Sequence, residues 1–258
     1  MDNDYIQFIS LINRKLGIDL NLYKKAQMKR RITSLKNKRG FDTFLAYYNS
    51  LEQNDDLLKE FVDRLTINVS EFYRNPKRWD ILKEKVLPYL VKNKNKLTVW
   101  SAACSTGEEP YSIAILLEEY FPQIRYKILA TDIDEKVLNN SEKGLYQERA
   151  LKDLPVILKN KYFTKKDNLY YIKESLKQGI TFEKHNLLAD LYPQNLDLIV
   201  CRNVLIYFND VAKDMLYQKF SKSLVQNGIL FVGSTEQIFS PQAYHFSIFD
   251  TFFYKKKE

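Results

Sequence analysis

Residues 97–110 read Leu97-Thr-Val-Trp-Ser-Ala-Ala-Cys-Ser-Thr-Gly-Glu-Glu-Pro110. The apolar run that begins at Leu97 is typical of a buried strand, and the small residues after it predict a loop that a ligand can approach closely. Pro110 is suited to the first turn of a following helix. The stretch therefore predicts the first strand–loop–helix unit of an open α/β sheet, where ligands bind beyond the carboxyl ends of the strands.

Strand-like and helical segments alternate along the chain after residue 76. The predicted parallel strands are residues 97–102, 126–131, 180–182, 196–201 and 228–233. Helical stretches such as 112–121 and 211–225 separate them, which predicts a parallel sheet covered on both faces. Two final runs, 247–249 and 251–254, are too close for a crossover helix. The predicted fold class is therefore α/β, a doubly wound sheet with an antiparallel C-terminal hairpin.

Two regions depart from this alternation. From residue 5 to about residue 74, apolar residues recur at helical spacing, which predicts several short helices. Residues 147–179 combine a helical piece with two short strand-like runs, which predicts a small antiparallel β-subdomain insertion. We therefore divide the chain into an N-terminal all-helical domain at 1–75 and an α/β domain at 76–258.

The composition is that of a globular protein with a basic surface. The 258 residues carry a formal net charge of +8 and include two cysteines. The chain opens without the charged and apolar regions of a secretory signal, contains no run of about 18 apolar residues, and has too few cysteines for a disulfide framework. We therefore expect a cytoplasmic protein with no membrane insertion. Basic residues without any acid occur in segment 21–40, which forms either a solvated helix face or a surface for an anionic partner.

The loop after residue 102 has the wrong charge for a phosphate. A dinucleotide fold would place three glycines here and leave the helix start free for pyrophosphate, whereas this loop has Gly107 alone and two acids, Glu108 and Glu109. Carboxylates at a helix start repel phosphate and attract a phosphate-free ligand with a cationic amino group and a sulfonium. S-adenosylmethionine is such a ligand. The alternative is that both glutamates only complement the helix dipole.

A further acid stands at the end of the second predicted strand. The sequence Leu129-Ala-Thr-Asp-Ile-Asp134 places Asp132 at the strand tip. A carboxylate there can accept hydrogen bonds from ribose hydroxyls and would disfavour a 2′-phosphate. An acid in this position is also a common helix N-cap. Combined with the preceding loop, Asp132 favours a nucleoside ligand without phosphate.

Four segments of the chain form a set of motifs: Leu65-Thr-Ile-Asn-Val-Ser-Glu-Phe-Tyr-Arg74, Trp100-Ser-Ala-Ala-Cys-Ser-Thr-Gly-Glu-Glu-Pro-Tyr-Ser112, Ala130-Thr-Asp-Ile-Asp134 and Cys201-Arg-Asn-Val-Leu-Ile-Tyr-Phe208. In this order they closely resemble the CheR family of chemotaxis receptor methyltransferases. The resemblance covers nearly the whole chain. It implies a class I S-adenosylmethionine-dependent methyltransferase fold and S-adenosylhomocysteine as the product. It also implies methyl transfer to glutamate side chains on the helical cytoplasmic bundle of chemoreceptors, giving γ-glutamyl methyl esters.

Carried over motif by motif, the resemblance implies roles for individual residues. The cofactor contacts would be Asn68, Ser70, Arg74, Glu109, Asp132, Asn186, Leu187, Arg202 and Asn203. The family often has threonine where Ser70 stands, and either hydroxyl can make the same hydrogen bond. The catalytic residues would be Arg74 and Tyr207.

Methylation of a carboxylate needs no general base, because glutamate with a pKa near 4.3 is already ionised at neutral pH. Catalysis then rests on alignment and exclusion of water, with reacting atoms roughly 3 to 3.5 Å apart. Arg74 can hold the carboxylate through its planar donors, and Tyr207 can orient an oxygen. The alternatives are a surface ion pair for Arg74 and a core aromatic for Tyr207. Two scattered histidines do not make a metal site, so we expect no metal.

The resemblance gives the basic segment a candidate partner. An acidic receptor helix would meet a set of basic residues in that segment, namely Lys29, Arg30, Arg31, Lys36 and Arg39. Charge complementarity would speed the encounter and weaken with salt. In some relatives the β insertion adds a strand from a tethering peptide at the receptor's carboxyl terminus. Here the turn at 165–168 is short and glycine-free, so we predict tether-independent binding, and we expect the enzyme to be a monomer.

Three alternatives stay open. A nucleic-acid methyltransferase fits the basic charge and the cofactor fold, but Cys201-Arg-Asn203 stands where such enzymes usually have an Asn-Pro-Pro-Tyr type strand end, so we expect no nucleic-acid partner. A cofactor-binding signalling protein that has lost activity is the second, and the complete set of motif residues argues against it. Third, Cys104 and Cys201 at the tips of neighbouring predicted strands either form a redox switch or are small buried residues.

Overall fold

The N-terminal region is a bundle of four helices in the computed structural model, which describes residues 2–66 and 68–257. The helices are α1 (Asp2–Leu16), α2 (Lys25–Lys38), α3 (Phe44–Gln53) and α4 (Asp55–Leu65). Side-chain caps fix two of the starts, because Thr43 accepts from the Ala46 amide and Asn54 accepts from the amides of Asp56 and Leu57. The fully buried Phe8 ring packs among other aromatic rings at the centre of the bundle.

A broken helix leads from this bundle to the sheet. It consists of α5 (Pro76–Ile81), a π-helical turn at Leu82–Val86, and α6 (Leu87–Val91). In the π turn the Leu87 amide donates to the carbonyl oxygen of Leu82. The cause is Pro88, which has no amide proton and whose ring clashes with the preceding turn of a regular α-helix.

The main sheet has seven strands in the order β6-β2-β1-β7-β8-β10-β9. They are β1 (Lys96–Ala102), β2 (Arg125–Asp132), β6 (Ile180–Lys184), β7 (Leu196–Cys201), β8 (Leu224–Val232), β9 (Phe246–Asp250) and β10 (Phe253–Lys256). The first five of these pair in parallel, while β10 pairs antiparallel with both β8 and β9. The predicted doubly wound sheet with an antiparallel C-terminal hairpin is confirmed.

Helices cover both faces of the sheet, as the alternation along the chain predicts. They include α7 (Glu108–Tyr120), α8 (Glu135–Lys143), α10 (Glu174–Lys177) and α11 (Asp210–Ser223), whereas α9 (Val156–Tyr162) packs within the β insertion. Neighbouring residues of β1 belong to separate cores: Val99 packs in the cluster that contains α7 residues, and Trp100 packs in the cluster that contains α11 residues. This alternation follows from side chains pointing to opposite faces of a strand.

The predicted β insertion is a three-stranded antiparallel sheet. Its strands are β3 (Leu145–Gln147), β4 (Phe163–Lys166) and β5 (Leu169–Ile172), in the order β3-β5-β4. Its first strand starts at Leu145, two residues before the approximate start of the insertion that the sequence predicts. Within the ranges 2–66 and 68–257, no helix has both the length and the apolar character needed to cross a bilayer.

Candidate active site

A cleft of about 1130 Å³, including its open mouth, lies at the carboxyl ends of the parallel strands and is closed on one side by the helical bundle. Every residue that the motifs predict for the cofactor or for catalysis lines it: Asn68, Ser70, Arg74, Glu109, Asp132, Asn186, Leu187, Arg202, Asn203 and Tyr207. The structure therefore brings together residues that lie far apart in the sequence. Their contacts with a cofactor stay a prediction.

The loop after β1 is held in a tight conformation at the base of the cleft. Ala103 and Ser105 have positive φ angles of 64° and 51°, and Gly107 has φ 89°. A Cβ atom on Gly107 would lie 2.9 Å from the Cβ of Ser141, so this position requires glycine. The Ser105 amide donates to Asp132 Oδ2 at 2.9 Å, which ties the loop to the tip of β2.

The two glutamates at the start of α7 are in different environments. Glu108 is 4% exposed and accepts from the Thr106 hydroxyl at 2.7 Å. Glu109 lines the cleft and accepts from the Ser101 hydroxyl at 2.9 Å. Burial raises the pKa of Glu109 to about 7, although the nearby Arg202 opposes this shift. A ligand cation beside Glu109 would favour the ionised form, so the environment suits an amino group and not a phosphate.

Asp132 is the second carboxylate of the cleft. Burial raises its pKa to about 6 even though its oxygens accept from the backbone amides of Ser105 and Asp134. The N-cap of α8 is Asp134, whose side chain accepts from the Lys136 amide at 2.9 Å. The N-cap alternative for Asp132 is therefore wrong, and its carboxylate lines the cleft, where it can also accept from a ligand hydroxyl.

Arg202 connects the loop after β7 to the linker between the two domains. Its Nη2 donates to the carbonyl oxygen of Arg74 at 2.8 Å, and its guanidinium lies over the rings of Trp79 and Phe231. Its Nη1 lies 3.7 Å from Glu109 Oε2. The Nε atom is buried and has no hydrogen-bond partner among the described residues. This guanidinium therefore supplies positive charge behind Glu109.

Arg74 and Tyr207 both line the cleft. Arg74 Nη1 donates to the carbonyl oxygen of Val69 at 2.9 Å, so this bond is made to the linker backbone and not to a carboxylate. Burial raises the pKa of the Tyr207 phenol, and the Arg31 guanidinium lies 5.6 Å from the centre of its ring. Tyr207 is therefore a neutral phenol at neutral pH that can donate a hydrogen bond.

Several lining residues were missed by the sequence analysis. Tyr23, from the helical bundle, forms an antiparallel bridge with Phe208 and packs against its ring at 5.0 Å. Ser105 also lines the cleft, and its buried hydroxyl has no partner among the described residues. Glu236 lies behind Asn203 and accepts from its backbone amide at 2.7 Å. None of these residues has a local pattern that distinguishes it from core or loop positions.

The predicted basic surface on and beside α2 is only partly available to a partner. Arg30 is exposed, Lys29 lies over the Tyr5 ring, and Arg39 pairs with Glu60. The prediction that Lys36 faces a partner is wrong. Lys36 is 7% exposed, and its ammonium donates to the carbonyl oxygens of Phe41 and Asp42, which follow α2. It closes the end of the helix instead of facing solvent.

Cys104 and Cys201 are buried free thiols. Burial raises the pKa of both thiols well above the usual value. Because the thiolate is the reactive form, this environment favours small buried residues over a redox switch.

Comparison with known proteins gives the family. Residues 3–66 match the description "CheR methyltransferase, all-alpha domain", and residues 68–253 match "CheR methyltransferase, SAM binding domain". The chemotaxis protein methyltransferase of Listeria innocua is 44% identical over 99% of this chain and 98% of its own length. That of Borreliella burgdorferi is 37% identical over 90% of this chain and 87% of its own length. That of Escherichia coli is 32% identical over 91% of this chain and 84% of its own length. The expected resemblance is thereby confirmed, and the chain belongs to the CheR methyltransferase family, with an S-adenosylmethionine-binding domain.

Proposed function

We propose that this chain transfers the methyl group of S-adenosylmethionine to glutamate side chains on the acidic cytoplasmic helices of chemoreceptors. The observation that carries the proposal is the position of Arg74 and Tyr207 in the same cleft as Glu109 and Asp132, next to the basic helix α2. Such a cleft joins a site for a cationic nucleoside to donors suited to a carboxylate. The membership of the chain in a methyltransferase family supports the same reaction.

The residues of the cleft fit this cofactor. Glu109, half-buried and with a raised pKa, would hold the amino group, and Asp132 would accept from the ribose hydroxyls. The unpartnered Ser105 hydroxyl at the base of the cleft offers a further polar contact. When bound, the cofactor supplies an electrophilic methyl group on a sulfonium. The carboxylates of Glu109 and Asp132 would repel a phosphate in the cleft.

The acceptor carboxylate needs alignment and not deprotonation. A glutamate with a pKa near 4.3 is ionised at neutral pH, so the protein has to orient it and exclude water. Arg74 has guanidinium donors beyond the one bound to Val69, and the Tyr207 phenol is a neutral donor. We assign Arg74 to holding the carboxylate and Tyr207 to orienting one of its oxygens.

The basic residues of α2 support an acidic partner. Arg30 in α2 is exposed, Arg39 just after α2 is exposed but pairs with Glu60, and the guanidinium of Arg31 lies over the ring of Tyr207. An acidic helix that docks on this surface would bring its glutamates toward Arg74 and Tyr207. Attraction of this kind acts mainly on the rate of encounter and falls as salt screens the charges.

We also propose that the receptor needs no tethering peptide. The turn between β4 and β5 consists of Asp167 and Asn168, with Asp167 at φ 54°. A turn this short leaves little surface beyond the edge strand β4 for an added peptide strand. Tight binding of an isolated receptor-tail peptide in a titration would contradict this proposal.

One experiment tests the function directly. The protein is incubated with cofactor carrying a labelled methyl group and with purified receptor fragments, and the labelled fragment is treated with mild base. We expect base to release the label as methanol, and a fragment whose candidate glutamates are changed to alanine should stay unlabelled. Base-stable label, or label found in added nucleic acid, would point to a different acceptor and contradict glutamate methylation.

A further inference from the structure

Glu236 is a buried acid directly behind the loop that follows β7. It is 4% exposed and lies just beyond the end of β8. Its Oε2 accepts from the backbone amides of Asn203 and Gly233, each at 2.7 Å, and its Oε1 accepts from the Ile206 amide at 3.2 Å. One carboxylate therefore satisfies three backbone amides from two neighbouring loops.

The loop at residues 202–207 depends on these bonds for its shape. Asn203 has φ 61°, a left-handed conformation, and the turn at Leu205–Tyr207 is a short 3₁₀ helix. A Cβ atom on Gly233 would lie 2.3 Å from Glu236 Oε2 and 2.9 Å from the Asn203 amide. Gly233 and Glu236 thus lie in close contact, and a substitution at either position would displace the loop at residues 202–207.

The charge of Glu236 also reaches the cleft. Arg202 is attracted to both Glu109 and Glu236, and the negative charge of Glu236 helps to raise the pKa of Glu109. Glu109 is faced by Ser101, Arg202, Arg74 and Glu236, and Cys104 lies near it. Around Glu236 the nearby charged or titratable groups are Arg202, Glu109, Cys201, Tyr207 and Tyr217. Arg202 is the cation shared by the two acids.

We propose that Glu236 is a positioning residue of the cofactor site. It holds the loop at residues 202–207 in place, and its negative charge, opposed by the positive charge of Arg202, sets the electrostatic potential at Glu109. The proposal rests on the assignment of Glu109 to the cofactor's amino group. It does not depend on which acceptor is methylated, so its test uses binding of the product S-adenosylhomocysteine and no acceptor. A negative result for Glu236 would therefore leave the proposal of glutamate methylation untouched, and the reverse also holds.

The test measures the dissociation constant of S-adenosylhomocysteine by calorimetry from about pH 6 to about pH 8.5, a range that spans the pKa of Glu109 at about 7. For the wild type we expect affinity to rise with pH as Glu109 ionises. Glu236→Gln loses the charge and at least one backbone bond, so binding at high pH should weaken roughly tenfold. The midpoint of the rise should move to lower pH, because the repulsive charge beside Glu109 is gone.

Two further variants separate charge from shape. Glu236→Asp keeps the charge but shortens the side chain, and Gly233→Ala pushes the carboxylate away without neutralising it. Both should weaken binding, and because both keep the negative charge, their midpoints should move less than that of Glu236→Gln. If Glu236→Gln fails to fold, these two variants still test the positioning role through their affinity, and wild-type affinity in both would overturn it.

Asp197 provides a matched control at the opposite end of β7. It is also buried, and it accepts from the Thr98 amide at 2.8 Å. Asp197→Asn should lower the melting temperature without moving the midpoint of product binding. The proposal is overturned if Glu236→Gln binds the product as the wild type does, or if its midpoint stays where the wild-type midpoint lies.

Discussion

The backbone amide of Lys24 donates to the carbonyl oxygen of Tyr207 at 2.9 Å. Next to this bond Tyr23 bridges Phe208, and beyond the bridge the Asn209 amide donates to the carbonyl oxygen of Leu22 at 3.0 Å. A short antiparallel contact therefore joins the segment that leads into α2 to the loop that carries Tyr207. The predicted receptor-binding helix and the predicted catalytic tyrosine are held in fixed relation by backbone bonds.

Replacing Tyr23 tests whether this contact shapes the cofactor site. Tyr23→Ala removes a ring that packs on Phe208 and lines the cleft, so we expect roughly tenfold weaker binding of S-adenosylhomocysteine and a lower melting temperature. Tyr23→Phe keeps the ring and is the matched control, which should bind nearly as the wild type does. Equal affinity in the alanine variant and the wild type would contradict a role for Tyr23 in the site.

The raised pKa values of Glu109 and Asp132 predict how stability depends on pH. Because these values are about 7 and about 6, the free folded protein keeps protons that the unfolded chain has lost. Their contribution to stability is present at low pH and is lost as pH rises through 6 and 7. The bound product's amino group should offset the loss at Glu109. Product should therefore raise the melting temperature more at about pH 8 than at about pH 6.

Glu109→Gln is the control for this pH dependence. It should make the free protein more stable at high pH and weaken product binding. The gain in melting temperature on product binding should then differ less between the two pH values. Other buried acids with raised pKa values, Glu108 and Glu236, contribute in the same direction, so the comparison is made with and without product. An equal gain in melting temperature at both pH values would count against the ionisation of Glu109 on binding.

Arg74→Lys separates charge from geometry at the proposed acceptor site. Lysine keeps the positive charge but loses the planar fork and the bond to Val69, so the acceptor carboxylate loses its alignment. We expect kcat to fall roughly a hundredfold, with a smaller change in the binding of S-adenosylhomocysteine. Arg78→Lys is the control, because Arg78 lies over the Phe252 ring outside the cleft. An unchanged kcat in Arg74→Lys would remove Arg74 from the catalytic assignment.

Charge reversal at Arg30 tests the proposed receptor surface. Arg30 is exposed on α2, and Arg30→Glu should raise the KM for the receptor fragment several-fold and reduce its dependence on salt. The kcat and the affinity for product should stay near wild-type values. Lys92→Glu, which makes the same charge change at an exposed position near the start of β1, should have little effect. An equal effect of both variants would indicate a response to net charge alone.

The sheet was predictable from the sequence because each of its central strands contains a short, mostly apolar run. All six residues of β7 are buried, and such runs between helical segments are typical of parallel strands. The strand β3 has three residues, of which only Tyr146 is buried, so its pattern is too short to recognise. The sequence therefore predicts the start of the insertion only approximately.

Residues of the site were predictable where they belong to a local sequence motif. They were not predictable where the site depends on contacts between segments that are distant in the sequence. Asp132 and Glu109 stand at strand and helix ends, positions whose chemistry can be read locally. Glu236 acts through backbone amides of a loop that is remote in sequence, and no periodicity reveals such a contact. Lys36 shows the same limit, because a run of basic residues predicts exposure, yet the chain after α2 turns back onto its ammonium.

The linker at residues 68–75 runs along the wall of the cleft and contributes Asn68, Ser70 and Arg74 to it. The helical bundle adds Tyr23 to the lining of the cleft. The two proposed domains are consequently not exchangeable modules. A fragment that begins at residue 76 would retain the sheet but lack one side of its pocket, and a chimera between relatives would have to take the bundle, linker and facing loop at 202–209 from the same parent.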